Sequence, residues 1–376
     1  MIRRGMFSGG TGMPEVFFSG ESSPGGSFAE ELAALMREYG EACAAAGCSP
    51  ETEILLRFHT GDPANQRQEL LNQLSGRLGG FVSLVGQRPV SGARVALEAW
   101  HWPGVDETRK RRSRNAMTVA LRSGALAVLH SLSEVPPGTG ETHTEAEFSA
   151  LSDFLALHGG SVMRHTVRTW LYCRDVDNRY AGLVKARNDF FARAGLRRDG
   201  RSIASTGIEG RMSDPHRKVK MDSLSIIGLG EHHHRPVSAA DMLSPTRLYG
   251  VTFERGMRIF WQDREWCFIS GTASIDRDGQ IVHPGDVGRQ TGRLLENVAA
   301  LLADASAAWT DVRSAVVYLR DPADAAIVRS ALGKTLPEDL PLLMVEAPVC
   351  RPGWLVEMEC FAERACGHPD GLAFQV

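Results

Sequence analysis

Short apolar strands and amphipathic helices recur along the chain in one order, most legibly at its C-terminal end. Phe268 to Ile275 runs from apolar into small residues, and a turn follows over Asp276 to Gly279. From Asp286 to Ala303, the residues Val287, Leu294, Leu295, Val298 and Leu301 fall at the spacing of a helix with one buried face. Val312 to Leu319 is a β-branched strand that stops at Arg320, Asp321 and Pro322, and Ala323 to Leu332 predicts a second helix. Leu342 to Val345 and Leu355 to Phe361 predict two more strands, separated by Pro348 and the Pro352–Gly353 turn. The predicted order is ββαβαββ or close to it.

The same order is read twice more. In the middle of the chain, strands are predicted over Ala125 to Leu132, Thr166 to Cys173, Ser202 to Ile208 and Val219 to Ile226, with helices over Glu145 to Leu157 and Tyr180 to Ala194. Near the start, strands at Val16 to Gly20, Glu53 to His59, Phe81 to Val85 and Ala93 to Trp100 alternate with helices at Phe28 to Ala46 and Gln66 to Leu78. In each copy the strand after the first helix ends in a polar turn, at Thr60 to Pro63, Arg174 to Asp177 and Arg320 to Pro322. This internal repeat predicts an α+β fold of three tandem modules, 1–105, 113–230 and 245–376, each a mixed sheet with two helices packed on one face. The other sheet face must then be buried elsewhere. The first copy is the most degenerate and is expected to be structural.

A chain of 376 residues can bury a core in each of these units. With 43% hydrophobic and 23% charged residues and a net charge of −3, it has no global field to draw it to nucleic acid or to a membrane. The basic run Arg109 to Arg114 suits a solvated linker better than a nucleic-acid or nuclear-localisation segment. No apolar stretch reaches the about 20 residues of a membrane helix. Arg3 and Arg4 have no apolar run behind them, which speaks against a secretory signal. Seven cysteines at irregular spacing read as neither a disulfide framework nor a zinc site, so a cytoplasmic location is expected. His232, His233 and His234 read as a polar linker before Pro236, since adjacent residues of a strand cannot all face one ion. Gly228 and Gly230 lead into these histidines rather than into a helix, so they make no phosphate loop. No nucleophile elbow and no cofactor fingerprint is present, and neither cofactor nor metal is expected.

The last copy resembles the RidA/YjgF family: Ser270–Gly271 at the end of an early strand, Gln290–Thr291 with Leu295, Glu296 and Asn297 on the first helix, and Gly353 to Glu359 on the closing strand. The resemblance implies trimeric assembly with sites between neighbouring modules, and hydrolysis of reactive enamines and imines held by an arginine. A narrower likeness, over roughly 125–376, is to the chorismatases. It rests on Phe268 to Ile275, His283 to Val287, Cys350–Arg351 seven positions before Glu357, Arg168 to Tyr172, and Ala204 to Ile208. Chorismatases are implied to combine two such modules and to hydrolyse the enol ether of chorismate to pyruvate and a ring acid. The position of Glu357 is implied to be the acid, and a cysteine at Cys350 marks the branch that forms hydroxybenzoate. This chain departs from that pattern. Its inter-module stretch Ser238 to Gly250 keeps only Arg247 and Tyr249–Gly250, Tyr180 to Leu183 replaces a glutamate- and arginine-rich helix start, and an extra N-terminal module precedes the match.

Comparing the three tails divides the polar groups among them. The family's carboxylate-binding arginine falls at Arg201 in the middle copy, against about Phe81 and Leu342 in the others; its glutamate falls at Glu357 in the last copy, against Ala96 and Lys220. An anionic substrate needs a fixed guanidinium, and an enol ether or imine needs a proton delivered by a carboxyl with raised pKa. One cleft between the second and third modules is therefore expected to hold the catalytic pair Glu357 and Cys350, with Arg201, Arg168, Tyr172, Arg320 and Thr272 binding a small carboxylate substrate. Each has a blander reading. Glu357 can face solvent on its strand, Arg201 sits in an arginine-rich loop with Arg197 and Arg198, Cys350 can be a small core residue, and Arg168, Trp170 and Tyr172 can line a packed sheet face. The leading expectation is hydrolysis of chorismate or a related enol-ether dicarboxylate; the alternatives are a RidA-type enamine or imine deaminase and a non-catalytic ligand- or partner-binding protein. Both a monomeric pseudo-trimer and a homotrimer agree with the repeat.

Overall fold

The computed structural model describes residues 1–10, 13–77, 79–196, 201–246 and 250–375. Leu78, Arg197, Arg198, Arg247 and Tyr249 lie outside the described residues. The first module holds β1 (Ile2–Ser8), β2 (Pro14–Glu21), α1 (Phe28–Ala45), β3 (Glu53–Thr60), α2 (Pro63–Gln73), β4 (Phe81–Val85), β5 (Arg88–Pro89) and β6 (Val95–His101). The second holds β7 (Lys110–Arg112), β8 (Ala116–Ala120), β9 (Leu126–His130), α3 (Gly140–Leu157), α4 (Val162–His165), β10 (Thr166–Cys173), α5 (Val176–Arg193), β11 (Ala204–Glu209) and β12 (Val219–Ile227). The third holds β13 (His234–Val237), β14 (Gly256–Phe260), β15 (Arg264–Ala273), α6 (Val287–Asp304), β16 (Val312–Leu319), α7 (Ala325–Leu332), β17 (Leu342–Glu346) and β18 (Val356–Ala365).

The closing strand of each module lies inside its sheet, giving the orders β1-β2-β6-β3-β4, β11-β10-β12-β9-β8-β7 and β13-β14-β15-β18-β16-β17-β5. Among the described strands the neighbouring pairs β3/β4, β10/β11 and β16/β17 run parallel, each joined by a helical crossover through α2, α5 or α7. The helices start where the sequence offers caps: the Ser27 hydroxyl accepts from the Glu30 amide, and the Asp286 carboxylate accepts from the Arg289 amide at 2.9 Å.

Backbone hydrogen bonds join the sheets in a cycle. After β4, Gly86 exchanges bonds with Arg211, N to O at 2.7 and 3.1 Å. At the end of β11, the Glu209 amide donates to the Pro348 carbonyl at 3.1 Å. Finally β5 leaves the first module to extend β17 of the third, pairing Pro89 with Val345 and Arg88 with Glu346. Each heterologous contact is followed by the next around the ring until it closes within one chain.

The sheet faces not covered by helices meet along the axis of this ring. Strand registers place Glu98, Asp222 and Glu359 at equivalent positions, opposite Arg57, Trp170 and Val316. These buried acids are matched by cations: Arg57 lies 3.6 Å from Glu98 and 3.4 Å from Asp222, Lys220 lies 3.0 Å from Asp222, and Arg168 lies 2.8 Å from Glu359. Trp170 Nε1 donates to Glu359 at 2.7 Å, and the Arg57 guanidinium stacks 4.3 Å from the Trp170 ring. An unpaired charge at this depth costs several kcal/mol, which is why the pairing is complete across module boundaries.

Two expectations are corrected. The basic run is not a linker: Lys110 to Arg112 is edge strand β7, and the buried Lys110 ammonium donates to the Glu53 carbonyl at 2.7 Å, fastening the second module to the first. Nor are the histidines a linker. His234 opens β13 opposite Ile259, and the His233 Nε2 lies 2.9 Å from the Asp370 carbonyl. No helix among the described residues is long and apolar enough to cross a membrane.

Candidate active site

A cleft opens between the second and third modules. Ser205 and Gly207 of β11, Gly271 and Ala273 of β15, and Tyr180 and Arg187 of α5 line it, with Cys350, Trp354 and Glu357 completing its wall. The registers explain why the cleft forms at this boundary. Where the second module has Ser205 and Gly207, the first has Val82 and Leu84 and the third Leu342 and Met344. Where the third has Glu357, the others have Ala96 and Lys220. Small residues and the acid coincide at one boundary. Gly207 is required there, since a Cβ would come within 2.9 Å of the Tyr180 ring.

Helix α6 holds the cleft wall in shape. Gln290 donates to the Gly353 carbonyl at 2.9 Å and accepts from the Leu355 amide at 2.9 Å, tying down the loop before β18. Asn297 donates to the carbonyls of Ala273 and Ile275 at 3.0 and 2.9 Å. These polar positions on a buried helix face carry the family resemblance, and their work is to position backbone.

Glu357 is 5% exposed. Burial, reinforced by the nearby charge of Glu359 and opposed by Arg255 and Arg168, pushes its carboxyl up to about 8. The group is therefore mainly a neutral acid at pH 7, a state suited to proton donation. Burial and the Glu357 charge push the thiol of Cys350, on the same cleft wall, up to about 12, which keeps it neutral at pH 7.

Arg187 brings the positive charge. It is 1% exposed, and its Nε and Nη2 have no hydrogen-bond partner. A buried guanidinium with open donors, facing a cleft that also holds a protonated acid, has the chemistry to receive a carboxylate. Arg255, 7% exposed and donating to the Ser244 carbonyl at 3.2 Å, adds a second cation to the same wall. Neither was expected from the sequence. The available signal was the α5 stripe Tyr180, Leu183, Arg187 and Phe190, where an arginine interrupts an otherwise buried face.

The structure gathers Glu357 and Cys350 but not the expected binding residues. Arg201 does not line the cleft, because its guanidinium caps the carbonyls of Arg164 at 2.5 Å, Thr166 at 3.1 Å and Ser202 at 3.3 Å. Arg168 stands behind it, bonded to Glu359 at 2.8 Å and to the Thr206 hydroxyl at 2.6 Å. Tyr172, on the same face of β10, points to the axis, with its hydroxyl unpartnered. Thr272 is turned away and donates to the Ser270 carbonyl at 2.9 Å. Arg320 forms a bidentate pair with Asp177 of α5, both contacts at 2.9 Å, and donates to the Val349 carbonyl at 2.6 Å. It staples the Cys350 loop to the second module and is not open to substrate. Among the described residues, Glu265, Cys366 and His368 have metal-ligand spacing, but the Glu265 carboxylate is already bonded by Arg258 and Arg364.

Residues 259–364 match the family described as Endoribonuclease L-PSP. Over 96 residues the chain is 33% identical to a RutC family protein of Pyrococcus abyssi, covering 25% of this chain and 76% of that protein. It belongs to the RidA/YjgF family. The 3-aminoacrylate deaminase RutC of Acinetobacter baylyi is 29% identical over 96 residues, again 25% of this chain and 76% of that protein. The architecture is similar to the crystal structure of a chorismatase, with a TM-score of 0.64 and 18% identity over 92% of this chain and 98% of that one. At this identity the likeness is one of fold. It is wider than the expected 125–376, since 92% coverage takes in most of the first module, which is therefore not an addition to the shared architecture.

Proposed function

We propose that the cleft between the second and third modules hydrolyses the enol ether of chorismate or a related cyclic enol-ether dicarboxylate, giving pyruvate and a dihydroxy-cyclohexadiene acid or, after loss of water, a hydroxybenzoate. The observation that carries this reading is a neutral buried acid, Glu357, sharing a cleft with the open guanidinium of Arg187. Arg187 and Arg255 bind the carboxylates, and the Glu357 proton goes to the vinyl methylene carbon. The resulting oxocarbenium ion takes up water, whose released proton restores the acid. Collapse of the hemiketal breaks the bond to the ring oxygen, leaving pyruvate and a ring alcohol. One water is consumed, and loss of one water from the diene-diol acid leads to a hydroxybenzoate. Apolar walls from Ile275, Phe253 and Trp354 suit the ring. The overall fold shared with a chorismatase supports the same assignment.

A second reading, deamination of an enamine or imine, is favoured by the 29% identity over 96 residues to a 3-aminoacrylate deaminase. The cleft carboxylate receptor and acid serve that chemistry as well. Pyruvate release on mixing the protein with chorismate tests the first reading, and Glu357→Gln is expected to abolish it. No pyruvate and no chorismate binding would end it. Faster imine decay in a coupled amino-acid oxidase assay would then favour the second.

A further inference from the structure

A second cavity lies on the ring axis, lined mainly by the first and third modules with Arg168 and Trp170 of the second. One wall is aromatic: Phe17, Trp100 and Phe361 are in mutual contact, with ring centroids 5.1 to 5.6 Å apart. The lining turns polar two residues further along the same strands, where Ser19 follows Phe17 on β2 and Glu98 precedes Trp100 on β6, with Arg57 of β3 opposite Glu98. Arg57 is 2% exposed and its Nε has no partner; Ser19 is 3% exposed and its hydroxyl has none either. Both residues line the cavity, as does Glu98, which keeps 17% of its side-chain surface accessible. Two buried donors without acceptors are a standing cost unless something supplies an oxygen.

We propose that this axial cavity is a second binding site, for a neutral single-ring aromatic bearing one oxygen, of which phenol is the simplest. The ring packs on Phe17, Trp100 and Phe361. The oxygen accepts from Arg57 Nε and from Ser19 Oγ, and a phenolic hydrogen has the Glu98 carboxylate within its reach. Charge selects against anions. Arg57, Arg168 and Lys220 are already matched by Glu98, Glu359 and Asp222, so a benzoate would bring an uncompensated charge into a low-dielectric interior. This site is independent of the cleft chemistry, since the cleft is built to receive carboxylates and the axial cavity to exclude them.

The test uses the intact chain with phenol, toluene and benzoate, by calorimetric titration and by crystals soaked in each. Saturable phenol binding is expected, with its oxygen at Arg57 and Ser19; toluene should bind at least tenfold more weakly and benzoate not at all in the cavity. Ser19→Leu should weaken phenol at least tenfold, whereas Arg187→Met in the cleft should leave it unchanged. If Ser19→Leu fails to fold, the soaked wild-type crystal decides by itself. Ordered water alone in the cavity, benzoate density there, phenol seen in the crystal without saturable binding in solution, or loss of phenol binding in Arg187→Met would each overturn the proposal.

Discussion

The carboxyl of Glu357 lies directly over Gly271: a Cβ at that position would overlap Oε1 and come within 3.0 Å of Thr206 Cγ2. The glycine on β15 thus makes room for the acid on β18. Gly271→Ala is expected to displace the carboxyl while leaving the sheet pairing intact. A misplacement of about 1 Å costs on the order of 100-fold in rate, which steady-state pyruvate release would measure beside an unchanged circular dichroism spectrum.

Activity should depend on pH through the neutral form of Glu357. Because its folded-state value is raised to about 8, kcat/KM is expected to hold below pH 7 and to fall as pH rises through about 8. Stability follows the same sign. A raised acid stabilises the fold in its protonated form, and that contribution is lost as pH climbs from the usual carboxylate range towards 8. Glu357→Gln should therefore melt higher than wild type, by a margin that grows between pH 5 and pH 8, while releasing no pyruvate.

Arg187 should show the opposite balance of function and stability to a paired arginine. Its open donors in a buried site destabilise the free protein, so Arg187→Met is expected to raise Tm while weakening substrate binding roughly tenfold to a hundredfold. Thermal melts and KM on the same preparation would read both.

Arg168 makes the contrast. Removing it leaves Glu359 buried without its cation, so Arg168→Met is expected to destabilise by about 3–5 kcal/mol in denaturant titration. Loss of activity in that variant should track unfolding rather than substrate affinity.

Acid should weaken the fold through buried histidines. His101, bonded to Tyr39 at 2.6 Å and Thr52 at 2.8 Å, is held down to about 3 by burial, and His130 to about 4 for the same reason. Depressed values stabilise the neutral form, so the contribution is present above about pH 6.5 and is lost as pH falls towards 4. Tm is expected to drop over that window, and His101→Gln should flatten the drop.

Local pattern was enough to read most of the elements. Apolar periodicity marks α6 and β16, and the repeated polar turn after the third strand finds the internal repeat, because both depend on neighbours in sequence. The strands β1, β8 and β14 went unread. In β1, with Arg3 and Arg4 beside Gly5, hydrophobic alternation is absent because its partner is another strand and not a core. Glu357 and Cys350 were legible because a motif holds them at fixed spacing on one loop and strand.

What pattern could not supply is which polar groups meet across a boundary. Arg201, Arg168 and Arg320 are each the right residue type near the right element, yet carbonyls, Glu359 and Asp177 occupy their guanidinium groups. Arg187, hidden in a helical stripe, keeps open donors on the cleft wall. The residue sequence alone determined the repeated module, its helices and strands, and the acid on the closing strand, since these follow from periodicity and spacing along one segment. Only the tertiary structure decided which arginine keeps open donors beside that acid, because the answer depends on how charges far apart in the chain satisfy one another once water is excluded.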